Sequence, residues 1–108
     1  IQKSNRVETR RGLVGLAFEI LYHFAVKKDI AKLDQHIKKR IKTVIEERLS
    51  ISPERYGVPL RKTLKGYWKC RIGDYRVVFK IAGMEVWIFG IIHRKEVYPV
   101  VSERVERN

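Results

Sequence analysis

The sequence is poor in metal ligands. It has one cysteine, Cys70, and three histidines, His23, His36 and His93, among 108 residues. A single cysteine excludes a disulfide within the chain and a zinc site built on several cysteines. The histidines lack the spacing of metal ligands, and no cluster of acidic residues accompanies them. We therefore predict that the protein holds no metal and needs no cofactor.

Long hydrophobic runs are also lacking. The longest nearly apolar run, residues 81–92, is interrupted by Glu85, whereas a membrane-crossing helix needs about 20 residues. A shorter run at residues 12–18 follows basic residues, as in a signal peptide, but Glu19 interrupts it and no small-residue cleavage site follows. These features predict a soluble, cytoplasmic protein that has no membrane partner.

Negative charge is scarce. The chain has 24 Lys and Arg residues against 12 Asp and Glu residues, a net charge of +12. The excess is concentrated in residues 54–82, which carry eight bases and two acids. Clustered positive charge is typical of proteins that bind a polyanion, so nucleic acid or the ribosome is the expected partner. An acidic protein partner is the alternative.

Hydrophobic periodicity predicts one strand and then helices. Large residues alternate over residues 16–24, which indicates a strand. Apolar residues then recur every three or four positions over residues 26–49, as on one face of an amphipathic helix. Asp34 is a plausible N-cap and divides this stretch into helices at about 25–33 and 35–49. One long helix is the alternative.

The second half of the chain reads as strands. Residues 66–72, 75–81 and 84–92 are rich in β-branched and aromatic residues and are separated by tight turns. This pattern predicts a three-stranded antiparallel meander. Residues 50–59 contain two prolines and are predicted to be a loop, while the segment after His93 gives a weaker signal and is assigned no element.

The domain organisation is simple. Residues 1–15 show no convincing period and are predicted to form a poorly ordered extension, which leaves residues 16–108 as a single domain. The predicted fold class is α+β. An antiparallel sheet contains the N-terminal strand and the meander, and two helices pack on one of its faces.

A two-residue Gly73-Asp74 turn fixes the register of the first hairpin and places Arg71 directly opposite Arg76. Like charges at that spacing destabilise a sheet. An anion bound between the two guanidinium groups would remove the penalty, and their geometry suits a phosphate. The alternative is that both side chains extend into water. The same face is predicted to carry Tyr67, Lys69, Arg71, Arg76, Val78 and Lys80.

Three short motifs occur in a familiar order: LKG at residues 64–66, GDYR at residues 73–76 and HRKEVY at residues 93–98. With the preceding strand and helices, they make the chain resemble the RelE/ParE superfamily of toxin–antitoxin toxins over roughly residues 16–102. The resemblance implies a RelE-like fold. RelE-type members are ribosome-dependent endonucleases that cut mRNA in the decoding site and so inhibit translation.

The resemblance leaves two further functions open. ParE-type members inhibit DNA gyrase instead of cutting RNA, and a toxin relative without activity would only bind RNA or an acidic protein. It also implies a cognate antitoxin that binds this basic chain through an acidic or amphipathic segment. Operator DNA would then be contacted only through the antitoxin complex.

The resemblance also implies the site residues. The catalytic positions of RelE-type toxins correspond to Lys69, Arg71, Arg76, Arg94 and Tyr98, with Arg71 standing where lysine is common, and His93 is an alternative residue for proton transfer. Without a metal, the substrate's 2′-OH would attack the adjacent phosphate. Arginine remains protonated and would stabilise charge, whereas a lysine amine beside other cations can be deprotonated, so Lys69 is the candidate general base. The candidate RNA-binding residues are Lys62, Lys65, Tyr67, Lys80 and Lys95.

Overall fold

The computed structural model describes residues 6–8 and 14–107. The elements, in chain order, are β1 (Arg6–Glu8), β2 (Val14–Leu16), β3 (Glu19–Tyr22), α1 (Val26–Ala31), α2 (Gln35–Val44), α3 (Pro53–Tyr56), β4 (Val58–Pro59), β5 (Trp68–Ile72), β6 (Tyr75–Ala82), β7 (Glu85–His93) and α4 (Val97–Arg107). A π-helical turn at Ile45–Leu49 extends α2, and a 3₁₀ turn at Lys62–Leu64 precedes β5. Within this part of the chain, no helix is long and apolar enough to cross a membrane.

The N-terminal segment is described only in part. Residues 1–5 and 9–13 lie outside the described residues, so the prediction of a poorly ordered extension at residues 1–15 stays a prediction. The strands β1 and β2 pair with each other in an antiparallel two-stranded sheet, separate from the main sheet.

The main sheet has five strands in the order β3-β7-β6-β5-β4. The antiparallel pairing of β5, β6 and β7 confirms the predicted meander. The sheet is nevertheless mixed, and the prediction of a wholly antiparallel sheet is wrong at one edge, because β3 runs parallel to β7. A period of two identifies a strand but carries no information about the direction of its neighbour.

The two predicted helices are confirmed. Asp34 has an extended backbone, and its side chain accepts a hydrogen bond from the Ile37 backbone N–H at 3.0 Å. This cap starts α2 and excludes a single long helix. The predicted loop at residues 50–59 is corrected, because it contains the short helix α3 and the two-residue strand β4.

The first hydrophobic core lies between the helices and one face of the sheet. Residues such as Val26, Ile41 and Leu49 from the helical side meet the fully buried Val77 and Phe79 of β6. The hairpin face opposite the basic residues is apolar, and all of its members belong to this core or pack against it: Trp68, Cys70, Ile72, Tyr75, Val77, Phe79 and Ile81.

A second core covers part of the opposite face. The segment after His93 folds into α4, which the sequence pattern did not predict. The predicted placement of Val78 on the face of the basic residues is confirmed, but Val78 is fully buried there, beneath Val97 and Val101 of α4. Valine-rich spacing and Pro99 obscure the helix in the sequence, although proline is tolerated in a first helical turn.

A buried ion pair joins α4 to the rest of the fold. Arg104 Nη2 and Nη1 lie 2.7 and 2.8 Å from the two carboxylate oxygens of Asp29 on α1. Asp29, only 8% exposed, also accepts a hydrogen bond from the Ile91 backbone N–H at 3.0 Å. Arg104 Nη1 donates a further bond to the Phe89 carbonyl at 2.8 Å. The pair therefore links α1, β7 and α4.

We predict that Asp29→Ala lowers the free energy of unfolding by about 3 kcal/mol, because it leaves the Arg104 guanidinium buried without its counter-ion. Urea unfolding measures the change. Glu103→Gln, which alters an exposed charge next to Arg104 on the same helix, is the control and should change stability by about 0.5 kcal/mol or less. A loss for Asp29→Ala as small as that of the control would contradict the structural importance of the pair.

Candidate active site

The hairpin between β5 and β6 brings two arginines together. Arg71 and Arg76 are cross-strand partners, as predicted, and a two-residue turn with Gly73 at φ +60° connects the strands. Such partners have Cβ atoms about 5 Å apart. Both side chains rise from the face opposite α1 and α2, so two positive charges stand side by side at one end of the sheet.

Arg76 is held by the backbone of the turn. Its Nη1 donates hydrogen bonds to the Gly73 carbonyl at 3.1 Å and to the Tyr75 carbonyl at 3.0 Å. Partial burial and the nearby cations Arg71 and Arg94 lower the pKa of Arg76 below its ordinary value, with Asp74 opposing part of the effect. Burial is the larger cause of this shift, and the smaller contributions of Arg71 and Arg94 come from repulsion between like charges, which a bound anion would relieve.

Arg94 joins this cluster from the end of β7. Its backbone N–H donates to the Asp74 carbonyl at 2.8 Å, and its Nε lies 3.6 Å from the Asp74 carboxylate. The side chains of Arg94 and Asp74 are 52% and 73% exposed. An exposed pair of this kind contributes little stability, so Arg94 is free to exchange the carboxylate for another anion.

Lys69 on β5 and Tyr98 on α4 are close in sequence to the arginines. Lys69 lies on the same strand face as Arg71, two residues away and half-buried, with Val78 as its cross-strand partner. Tyr98 is 44% exposed and occupies the first turn of α4, which begins three residues after Arg94. The buried neighbour Val97 anchors this turn against the sheet, on the face that carries the arginines.

His93 is directed away from this group. Its cross-strand partner is Tyr75, whose side chain belongs to the helix face, and the two rings meet edge to face at 5.7 Å. His93 Nδ1 accepts a hydrogen bond from the Lys95 backbone N–H at 3.3 Å. The pleat of the sheet therefore separates the His93 ring from Arg71 and Arg76.

The predicted RNA-binding residues lie on several different elements. Lys80 Nζ lies 5.6 Å from the centre of the Tyr67 ring, and Tyr67 in turn meets Phe89 edge to face at 5.0 Å. Lys80 is four residues from Arg76 along β6, roughly 13 Å, and the buried Val78 lies between them.

The remaining predicted RNA-binding residues are exposed on connecting segments. Lys62, in the 3₁₀ turn, has a left-handed backbone with φ +57° and is followed by Lys65 before β5 begins. Lys95 lies in the turn between β7 and α4. Only Lys95 is therefore close in sequence to the arginine cluster, since it directly follows Arg94.

Two residues that position the site were missed from the sequence. Asp29 and Arg104 hold α4, and hence Tyr98, against the sheet, but they are 75 residues apart and each sits in a segment of ordinary mixed charge. The only available signal was the i, i+4 spacing of Val97, Val101 and Val105 around Arg104. Among the described residues, no three His, Cys, Asp or Glu side chains gather as a metal site would require.

Comparison with known proteins identifies the family. Residues 20–98 match the family model described as the ParE toxin of the type II toxin–antitoxin system parDE. The chain belongs to the RelE/ParE superfamily of toxins. The match extends from β3 to the first turn of α4 and includes the whole arginine cluster.

Individual relatives carry RelE names. Toxin RelE3 of Methanocaldococcus jannaschii is 29% identical over 83 residues, covering 74% of this chain and 94% of the relative. Toxin RelG of Mycobacterium tuberculosis is 28% identical over 85 residues, covering 77% and 98%. The solved toxin–antitoxin complex RelBE2 of M. tuberculosis contains a chain that superposes with a TM-score of 0.69 at 28% identity, covering 73% of this chain and 100% of that one.

The arginine pair should cost stability. We predict that Arg71→Thr raises the free energy of unfolding by about 0.5 kcal/mol at low salt, because it removes a like-charge cross-strand pair. The gain should shrink at high salt, where charges are screened. Urea unfolding at two salt concentrations measures both effects.

Lys69→Thr is the matched control, since Lys69 lies on the same face of β5 but opposite the uncharged Val78. Lys69→Thr should raise the free energy of unfolding by less than Arg71→Thr does. Equal gains for the two variants would show that overall charge, and not the Arg71–Arg76 pair, is responsible.

Proposed function

We propose that this toxin is an endoribonuclease that cleaves mRNA on the ribosome. The observation that carries the proposal is the set of bases at one end of the sheet. Lys69, Arg71 and Arg76 share a face, and Arg94 is held at the adjoining turn. A phosphodiester under attack gains negative charge, and fixed guanidinium groups stabilise that charge without reorganising.

The proposed reaction uses the substrate's own nucleophile. Lys69 accepts the proton of the 2′-OH while the 2′ oxygen bonds to the adjacent phosphorus. The bond from phosphorus to the 5′ oxygen then breaks. Arg71 and Arg76 stabilise the pentacoordinate phosphate, and Arg94 stabilises the departing 5′ oxygen, which takes up a proton from water. The products are a 2′,3′-cyclic phosphate and a 5′-OH. Tyr98 orients the phosphate or a neighbouring base.

A cognate antitoxin is the proposed protein partner. The M. tuberculosis relative was solved as a toxin–antitoxin complex, and the net charge of +12 favours an acidic or amphipathic segment on the antitoxin. Contact with operator DNA would then occur through the antitoxin.

A second candidate function is inhibition of DNA gyrase, because the matching family model is described as a ParE toxin. This activity requires binding of a protein and gives the arginine cluster no chemical role. The two functions therefore differ in their expected products, which are cut mRNA in one case and loss of supercoiling in the other.

Primer extension on mRNA in a translating extract tests the proposal. We expect cuts that depend on ribosomes, and a decrease of about 10²–10³-fold in cleavage rate for Arg76→Ala, because charge stabilisation in the transition state is lost. Ribosome binding should weaken far less than cleavage. Supercoiling by gyrase is assayed in parallel with the same preparations.

Loss of supercoiling without any mRNA cuts would favour the gyrase inhibitor. Full cleavage by Arg76→Ala combined with weaker ribosome binding would make Arg76 a docking residue only. Binding without either activity would identify a toxin relative that has lost its chemistry.

The general base can be tested separately. We predict that Lys69→Arg binds ribosomes normally but cleaves poorly and loses the rise of rate with pH, because a guanidinium keeps the charge but does not deprotonate. Single-turnover rates over a pH series measure this, with His93→Ala as the comparison. If Lys69→Arg keeps the parental cleavage rate and pH profile while His93→Ala loses cleavage, His93 and not Lys69 is the general base.

A further inference from the structure

A cleft opens at the edge of β5, beside α2. β4 pairs with β5 only at Trp68 and Lys69, so residues 70–72 of β5 form a free edge within the described chain. α2 passes beside this edge and leaves a cavity of about 460 Å³, here termed the α2–β5 cleft. Its charged lining residues are Lys39, Arg40 and Arg48 from the helical side and Arg71 from β5.

The α2–β5 cleft is positive throughout. Thr43 adds a hydroxyl, Val44 and Ile72 are its apolar members, and among the described residues that line it none is acidic. The Arg48 guanidinium lies 5.5 Å above the Tyr56 ring, which holds it at the border of the cleft. Four cations around one cavity repel one another and favour an anion with several charges.

The cleft continues into the candidate active site. Arg71 belongs to both, because it lines the cleft and is also the cross-strand partner of Arg76. Arg40 Nη1 lies 3.5 Å from the position that a Cβ atom on Gly73 would occupy. The Gly73 carbonyl accepts a hydrogen bond from Arg76. Arginines from α2, β5 and β6 therefore surround one turn and form a continuous path of positive charge around it.

We propose that the α2–β5 cleft binds the sugar–phosphate backbone of RNA, namely the stretch adjoining the phosphate held by Arg71 and Arg76. Guanidinium groups match phosphate oxygens, and successive phosphates neutralise several cations at once. A peptide is a poorer occupant, because peptide recognition relies on apolar anchors and the cleft offers only Val44 and Ile72. The inference rests on the proposed function for its ligand, RNA, but not on cleavage.

The test measures binding of a short fluorescent RNA whose 2′-OH groups are all methylated, so that it binds without being cleaved. The double variant Lys39→Gln/Arg40→Gln removes two exposed cations of the cleft. We expect affinity to fall about tenfold. The slope of log affinity against log salt should decrease by about 1.4, since each lost phosphate contact on a single strand contributes about 0.7.

Lys27→Gln/Lys28→Gln is the matched control, because it removes two exposed cations from α1, outside the cleft. Its slope should change less than half as much. Equal changes in both double variants would overturn the proposal, since total charge alone would then explain binding. Thermal unfolding of each variant checks that the fold is intact.

Polyglutamate of the same total charge as the RNA is the competing probe. Weak competition supports a phosphate site. Competition as strong as that of unlabelled RNA, with the same dependence on Lys39 and Arg40, would assign the cleft to an acidic peptide and overturn the proposal. If the cleft variant loses RNA affinity but the parent cuts no mRNA, the cleft stands and the proposed nuclease fails. If the parent cuts mRNA but the cleft variant keeps its RNA affinity, the nuclease proposal stands and the cleft proposal fails.

Discussion

The bidentate contact between Asp29 and Arg104 is the constraint on which the placement of α4 depends. Near this contact β7 carries an extra residue, Phe89, where the register with β6 shifts between Val78 and Phe79. A bulge leaves backbone groups outside the regular ladder, and Arg104 uses the Phe89 carbonyl as a third acceptor. The buried charges are thus satisfied on all sides, which is the condition under which an internal ion pair is tolerated. The first turn of α4, with Tyr98, follows from this anchor and from the second core.

The two faces of the β5–β6 hairpin have different roles: one packs in the first core and the other carries the arginines of the candidate site. The helix face of β6 contributes Val77 and Phe79, which are completely buried. The opposite face holds Arg71 and Arg76 as unfavourable neighbours on rigid strands. Hydrophobic burial on one face therefore offsets repulsion on the other, and two backbone hydrogen bonds hold the Arg76 guanidinium before any anion arrives. Such preorganisation is what electrostatic stabilisation of a transition state requires.

Sequence patterns predicted the features of the fold that depend on residues close together in the chain, such as turns and helix caps. The two-residue turn fixed the cross-strand partnership of Arg71 and Arg76, and the Asp34 cap separated α1 from α2. The features that escaped prediction depend on contacts between distant segments. The parallel pairing of β3 with β7, the cover of α4 over Val78 and the ion pair of Asp29 are of this kind. The position of His93 was predictable as a strand end, but its face depended on the register with Tyr75.

The orientation of α2 also determines where its basic residues lie. The apolar side of α2, including Ile41 and Val44, must pack into the first core. Once that side is buried, helix geometry leaves Lys39, Arg40 and Thr43 on the side beside the free edge of β5. Their position next to Arg71 is therefore a consequence of core packing, and so is the crowding of like charge that makes the cleft favourable for an anion. Burial of apolar residues on one side of α2 and binding of phosphates on the other are two results of a single helix orientation.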